Sequence, residues 1–475
     1  MGRREQGIFP GLAAQGVGEK MSLKKSQVRS LGKILPEDGL LFNPAEKLIY
    51  GTDAGRRFAM PWAVVLPETV DQVRQIMHWA GQERVPVIPR ARGTNVVSAC
   101  VPQAGGIVLS CLKLGRILSL SSRDFTAHVQ PAVITHELQQ AAAAKGLFYP
   151  PDPASVRVCS IGGNIATNAG GMRAVKYGVT RDYVLGLEVV LPGGELIRTG
   201  GTVHKNVVGL DLTSLMVGSE GCLGVVVGAW LKLLPRPAHA ATMLACFENE
   251  EQALESVDQI FGAGLLPCAL EFLPREVLHC LSAYSGMPWP DKAGAALMVQ
   301  CDGLKGSVRQ EMTEARKRLK EAVYVDEAEN SDQERIWELR RLINPASFRL
   351  GSGKASDDVS IPRGSLLKAM QGIRRIAGRY SLQVLAFGHA GDGNLHVNFM
   401  YDHTRQNIQK EVQRARAELL DLVLGLEGSM SGEHGVGLAK RGFLNRQPGP
   451  AALEIMHGIK KVLDPDGILN PGKAI

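Results

Sequence analysis

The chain has 475 residues, 45% of them hydrophobic and 21% charged, with a net charge of +7. That composition fits a soluble globular protein with room for two or three domains, each around its own core. The positive charge is thinly spread and nowhere gathers into a consecutive basic run, which excludes a nucleic-acid-binding tail and leaves solubility or an acidic partner as its use.

Eight cysteines, at 100, 111, 159, 222, 246, 268, 280 and 301, form no CxxC cluster. Neither a zinc ribbon nor an iron–sulfur cluster is encoded by them, and a reducing cytosol is the expected compartment. No apolar region follows the Arg3-Arg4 pair, which argues against a twin-arginine signal. The longest apolar stretch, 222–231, is too short and too glycine-rich to cross a bilayer. Residues 1–20 are glycine-rich and patternless, so Met1 and Met21 are both candidate starts.

The pattern predicts an amphipathic helix over 26–35. AVVL at 63–66 reads as a buried strand. Thr69 and Gln72 form a capping box that opens a helix with Val70, Val73, Ile76, Met77 and Ala80 on its apolar face and Gly81 at its end. With VPVI at 85–88 as the next strand, this is a βαβ unit. The turn that follows, RARGTN at 90–95, sets backbone N–H groups and arginines at the carboxyl end of a strand, where a pyrophosphate can bind. It is not GxGxxG and opens no helix, which disfavours a Rossmann site. Short strands over 106–112, 117–120 and 126–133 precede a helix over 135–145 that Gly146 caps.

PPDPAS at 150–155 leads into SIGGNIATNAGG at 160–171, a run of almost nothing but small residues. Such a run cannot build a core; it lets the main chain press against a large flat ligand. A flexible linker or a small-residue packing seam are the bland alternatives. A strand over 184–191 with a Pro-Gly-Gly turn follows, then GSEGCLG at 218–224 and a strand over 225–234 that ends on Pro235 and Pro237. The prolines mark a domain boundary. Beyond them, strands at 240–247, 269–272, 295–302 and 322–325 alternate with helices at 249–264 and 306–322, an antiparallel sheet backed by helices. Arg340 and Arg341 follow Trp337. GSGKA at 351–355 lacks the spacing and the Ser/Thr of a P-loop and is rejected as one.

Two glycine-rich motifs carry the chemistry. In GHAGDGNLHVN, residues 388–398, a short apolar strand enters a turn and a period-two strand leaves it. His396 and Asn398 therefore share a face, and His389 and His396 stand at the mouths of a hairpin. After a helix over 408–425, SGEHGVG at 431–437 adds Glu433 and His434. Two histidines and a glutamate suit a divalent metal.

PPDPAS, CSIGGNIATNAGG, Lys176-Tyr-Gly178, GSEGCLGVV, GHAGDGNLHVN, SGEHGVG and DPDGILNPGK occur together and in order. In these the chain resembles the FAD-linked D-2-hydroxyacid dehydrogenases, the D-lactate dehydrogenase and glycolate oxidase type, within the vanillyl-alcohol oxidase and p-cresol methylhydroxylase superfamily. The resemblance implies an α+β fold: a lead-in over 1–60, a two-subdomain FAD-binding domain over 61–238, and an α+β substrate domain with an antiparallel sheet over 239–475, of which 426–475 returns to the flavin. It implies FAD contacts from Arg90, Arg92, Gly93, Thr94 and Asn95 at the pyrophosphate, and from Ser155, Ser160, Gly162, Gly163, Asn164, Thr167, Asn168, Gly170 and Gly171 along the flavin. Glu220, Gly221, Gly224 and Val226 would serve the adenosine side, and Asn470 would reach in from the C-terminus. Ala91, Asn95, Ser98 and Ala99 stand where the family's pyrophosphate loop commonly has glycine. No histidine occupies that loop, so FAD is expected to be noncovalent.

Oxidising an α-hydroxyacid removes a hydride from Cα and a proton from the hydroxyl. Arg340 or Arg341 is the expected partner of the substrate carboxylate. A metal on His389, His396 and Glu433, Zn or Mn, would acidify the hydroxyl. His434 is the expected base, and Asn398 a hydrogen-bond partner of the substrate. Electrons would leave to a separate iron–sulfur or quinone-linked partner at the membrane or to a soluble acceptor, for a cytoplasmic protein or one peripheral to the inner face of the membrane. A homodimer is compatible with this. Two rivals stand: a metallohydrolase built on the same histidines, and a non-catalytic flavin-binding relay subunit.

Overall fold

The computed structural model describes residues 22–55, 57–286 and 288–475. The Arg3-Arg4 pair, Met1 and Met21 lie outside them. The continuous apolar run at 63–65 becomes strand Ala63–Val65 of a four-stranded sheet, its side chains fully buried. Such runs suit parallel strands covered on both faces. Ile107–Ser110 lies parallel to it on one side and parallel to Val87–Arg90 on the other, and Leu40–Leu41 pairs antiparallel at the outer edge. The two strands of the expected βαβ unit are therefore separated by a third that arrives later in the chain.

The connecting helix, Val70–Glu83, starts at the expected capping box: Thr69 Oγ1 accepts from the Gln72 N–H at 3.2 Å. It outlasts Gly81 and stops at Arg84, whose φ of 50° ends the helical ladder. Val73, Ile76, Met77 and Ala80 pack it onto the sheet.

A second, antiparallel sheet runs in the order Ile117–Ser121, Thr126–Val129, Val225–Lys232, Val184–Val190, Leu196–Gly200. The third is the largest, with seven antiparallel strands in the order Tyr324–Glu329, His239–Phe247, Ala295–Gly303, Ala269–Pro274, Gln383–His389, Asn394–Tyr401, Gly353–Ser360.

Alternation sorts the side chains of the third sheet. Met243, Phe247, Leu270, Phe272, Leu297, Val299, Leu395, Val397 and Phe399 face helices Glu250–Gly262, Lys305–Arg318, Leu366–Arg379 and Ile408–Gly425. Leu244, Cys246, Leu273, Met298, Leu385 and Phe387 face helices Arg275–Ser285 and Gln333–Ser347. The helix Arg275–Ser285 had no counterpart in the sequence reading. The region 351–355 enters an edge strand of this sheet, in line with rejecting a P-loop there.

SIGGNIATNAGG departs from the reading of an open loop. Ile161–Thr167 is a short helix, and its two isoleucines are fully buried in the core of the second sheet. A Cβ on Gly162 would lie 2.5 Å from Pro131. Half of the segment is therefore a packing seam, one of the bland alternatives, and only the rest is loop. Among the described residues, no helix is long and apolar enough to cross a membrane.

Candidate active site

The apolar side chains 395, 397 and 399 of the hairpin face one core, so His396 and Asn398 are turned to the opposite face of the sheet, toward helix Gln333–Ser347. His389 ends the entering strand and pairs with Asn394 across the turn. The His389 and His396 rings meet edge to face at 5.3 Å. Glu433 completes the group: each of the three offers a ligand atom within 4.8 Å of the others.

Outside this trio lies a chain of partners the sequence did not signal. His389 Nδ1 hydrogen-bonds the Glu271 carboxylate, which has no exposed surface, and Arg340 Nε donates to the other Glu271 oxygen at 2.5 Å. A carboxylate on the far nitrogen of a histidine fixes the tautomer and aims Nε2 at the site, the usual support of a metal ligand. Nε2 stands 3.1 Å from Glu433 Oε1.

Charge follows from this geometry. Burial works against the Glu433 carboxylate, but His389 outweighs it and holds the group down to about 2. Burial pushes His396 down to about 3, leaving a neutral imidazole, the form that binds metal.

His434 is organised by a residue that sequence reasoning missed. Burial opposes its protonation, but the Asp358 carboxylate, 3.1 Å from Nδ1, raises its pKa above the ordinary 6.5. Asp358 is fully buried and also accepts from the N–H groups of Gly432, Glu433 and His434 and from Lys440 Nζ at 2.8 Å. Lys440 is itself only 1% exposed and further tied to the carbonyls of Asp358 and Met430. One carboxylate thus gathers the whole GEH turn. With Nδ1–H directed at Asp358, Nε2 of His434 is left as the acceptor, and its ring lies 5.9 Å from that of His396. Glu271 sits between the buried apolar Leu270 and Phe272, which was the available signal, whereas Asp358 sits between Asp357 and Val359 in ordinary strand sequence.

Arg340 and Arg341 part company. Arg340 is mostly buried over the Phe387 ring, and among the described residues only its Nε has an acceptor. Arg341 pairs with Glu334 on the solvent face of its helix, so the structure removes it from the site. Asn398 Oδ1 accepts from Ser356 Oγ at 2.6 Å.

Across from the hairpin, the segments assigned to a cofactor do converge. Among the described residues, the N–H groups of Arg92, Gly93, Thr94 and Asn95 donate to no protein acceptor, and Gly93 has a φ of +68°. Successive free N–H groups around a left-handed residue form an anion cradle that fits a pyrophosphate. Gly163 lies beside Ala91 with room to spare, and Ser160 Oγ is buried with no partner among the described residues. Thr167, Asn168, Glu220 and Glu433 line one cleft of about 480 Å³.

Several other residues given to the cofactor have side chains engaged within the protein. The Arg90 guanidinium donates to the carbonyls of Ile49 and Thr52, Asn164 to Thr135, and Asn95 to the His434 carbonyl. Glu220 accepts from the N–H groups of Val436 and Gly437, and Asn470 binds the carbonyls of Ala99 and Glu220. Gly224 packs against Val189 and Gly221 against Pro89, while Val226 lies in a strand beside Val189. Arg92 is exposed, and Ser155 is half-buried in the turn before Cys159.

The two sides touch. A Cβ on Gly170 would lie 3.3 Å from the Glu433 side chain, and one on Gly171 only 2.2 Å from the Asp152 carbonyl. Gly171 has a φ of +154°, so Gly171→Ala combines a clash with a disfavoured backbone. It should lower stability by about 2–4 kcal/mol, read as a lower melting temperature.

Residues 236–474 match the family described as FAD linked oxidases, C-terminal domain, and residues 61–200 match an FAD binding domain. The glycolate oxidase subunit GlcD of Bacillus subtilis is 40% identical over 433 residues, covering 90% of this chain and 92% of that protein. A D-lactate dehydrogenase of Anaerostipes hadrus is 34% identical, covering 91% of this chain and 92% of its own. A D-2-hydroxyglutarate dehydrogenase of Stutzerimonas stutzeri is 33% identical, at 93% and 97%. Among solved structures, p-cresol methylhydroxylase with substrate bound superposes with a TM-score of 0.80 at 19% identity, over 94% of this chain and 96% of that one. The α+β fold expected from the sequence is the one observed.

Proposed function

The chain belongs to the FAD-linked oxidase family, and from that premise we propose that it oxidises a small D-2-hydroxyacid, D-lactate or glycolate, to the 2-oxoacid. FAD, held noncovalently, supplies the hydride acceptor at its flavin N5. A divalent cation on His389, His396 and Glu433, Zn or Mn, would supply a positive charge at the substrate hydroxyl.

This chain's own residues do the rest. His434 Nε2 takes the hydroxyl proton, because Asp358 holds the opposite nitrogen protonated. Arg340, anchored through Nε by Glu271, presents its terminal N–H groups to the substrate carboxylate. Asn398, fixed by Ser356, offers its amide to the same molecule. Holding the acid by its carboxylate and hydroxyl fixes which way its Cα–H points.

One observation supports the reading most: Glu433, next to the base, packs against Gly170 in the segment expected to line the flavin. A metallohydrolase would need no such neighbour, and a passive relay would need no oriented base.

Electrons pass on to a separate iron–sulfur or quinone-linked acceptor, since all eight cysteines are buried, free and scattered. The test is anaerobic. The purified yellow protein should bleach with D-lactate or glycolate and not with L-lactate; a colourless protein, or one that no 2-hydroxyacid bleaches, sinks the proposal. Lactate and glycolate differ by one methyl group, worth about 1–3 kcal/mol, so D-lactate, glycolate and D-2-hydroxyglutarate belong in the same screen.

A further inference from the structure

The Lys176-Tyr-Gly178 turn is a sequence motif that the chemistry above does not use. It ends the short helix Ala174–Tyr177, which leads directly out of the glycine-rich segment through a hydrogen bond from the Ala174 N–H to the Gly171 carbonyl. On its own side the turn is pinned repeatedly. Tyr183 Oη donates to the Tyr177 carbonyl, the Gly178 N–H to the Ala174 carbonyl, and Asp182 accepts from the Val179 N–H. Gly178, at a φ of +76°, has no room for a Cβ, which would lie 2.1 Å from Asp182.

On its other side the turn grips the seven-stranded sheet. Tyr177 Oη donates to both Asp302 carboxylate oxygens, at 2.8 and 2.9 Å, and Lys176 Nζ to the Asp302 carbonyl and carboxylate, at 2.8 and 2.7 Å. Asp302 is 8% exposed, so these charge-assisted bonds are shielded from water. It lies on strand Ala295–Gly303, which pairs with the strand that carries Glu271. Between Lys176 and the active site, Val175 packs onto the hairpin tip so closely that a Cβ on Gly391 would sit 2.6 Å from it.

We propose that Lys176, Tyr177 and Asp302 form a clamp that sets the distance between the flavin side and the hairpin bearing His389 and His396. They are positioning residues for hydride transfer, and this rests on the dehydrogenase reading. Hydride transfer needs reacting atoms about 3–3.5 Å apart, and a misplacement of about 1 Å can cost on the order of 100-fold. A four-residue helix touching both the carboxylate clamp and the hairpin tip is placed to hold that gap.

The test compares the holoprotein with Tyr177→Phe and with Lys176→Met/Tyr177→Phe. Tyr177→Phe keeps the ring and its edge contact with Phe148. Stopped-flow bleaching by the best D-2-hydroxyacid should slow about 10–100-fold in the double variant, with FAD affinity unchanged and the deuterium isotope effect at Cα undiminished. Lys176→Arg/Tyr177→Phe should recover much of the rate. A double variant that bleaches within about twofold of the parent overturns the clamp, and so does one whose slowing is explained entirely by lost FAD. If no acid bleaches the parent, the dehydrogenase reading fails, and hydrogen exchange at 388–394 decides the clamp alone. Faster exchange in the double variant supports it, and unchanged exchange overturns it.

Discussion

Asp358→Asn should lower kcat/KM by about 10³–10⁴-fold, the scale at which a base that loses its orienting carboxylate takes up the wrong tautomer. Asp358 is the only acid in contact with His434 Nδ1 among the described residues, and the same carboxylate receives the Gly432, Glu433 and His434 amides and the buried Lys440 ammonium. Asparagine keeps the shape but must turn an NH₂ toward donors. Removing one partner of a buried ion pair costs about 3–5 kcal/mol, so a lower melting temperature is expected alongside the loss of activity.

The pH profile separates the two effects. His434 must be neutral to accept a proton, and Asp358 raises its pKa, so the acid limb of kcat/KM in the parent should lie above pH 6.5. In Asp358→Asn the limb should move to lower pH, although the maximal rate falls. A limb that stays put, or a rate within tenfold of the parent, would sink the role assigned to Asp358.

The same groups set stability against pH with opposite signs. The raised His434 contributes stability that is complete below its unfolded pKa and lost as pH rises through its folded value. Glu433 and Glu271, each held to about 2, contribute stability present above about pH 4.5 and lost as pH falls toward 2. Acid should therefore loosen the hairpin and its neighbours first, seen as faster hydrogen exchange at 384–400 than in the first sheet.

Much of this site was legible because its chemistry is local. The period-two run after Gly393 placed His396 and Asn398 on one face, and the structure keeps them there. The capping box at Thr69 was readable for the same reason, since both its halves lie within four residues.

What stayed hidden is non-local. Glu271 meets His389 across 118 residues, and Asp358 meets His434 across 76, through strand pairings that no short window reveals. Arg340 and Arg341 look alike in sequence, yet helix Gln333–Ser347 turns one to Glu271 and the other to water. The glycine-rich segment holds more than its composition suggests: its small residues favour a ligand loop over a packing seam, but Ile161 and Ile165, four apart, are enough to anchor a two-turn helix in a core. Asn470 and Glu220 show a further limit, for residues expected to face the cofactor have side chains that bind the protein's own loops together.

Glu433→Gln should abolish stoichiometric metal binding and reduce bleaching by the hydroxyacid at least about 10³-fold, on the scale of the several kcal/mol that a cation held by His389, His396 and Glu433 would supply. The amide cannot provide the negative charge that the carboxylate offers a cation, and His396, pushed down to about 3, brings none. Glu271→Gln should be milder, about 10–100-fold in metal affinity, since it only unseats the support behind His389 Nδ1. Metal content by elemental analysis and flavin absorbance are read on the same samples. Both variants should stay yellow, because the free N–H groups at 92–95 lie outside the metal trio. That pairing of readouts also distinguishes the chemistry. Chelation that stops bleaching while FAD remains bound, with recovery on adding Zn or Mn, places metal and flavin in one reaction. A Glu433→Gln protein that keeps its metal, or bleaches at the parent rate without one, would remove the cation from the mechanism and leave His434, Arg340 and Asn398 to carry the oxidation.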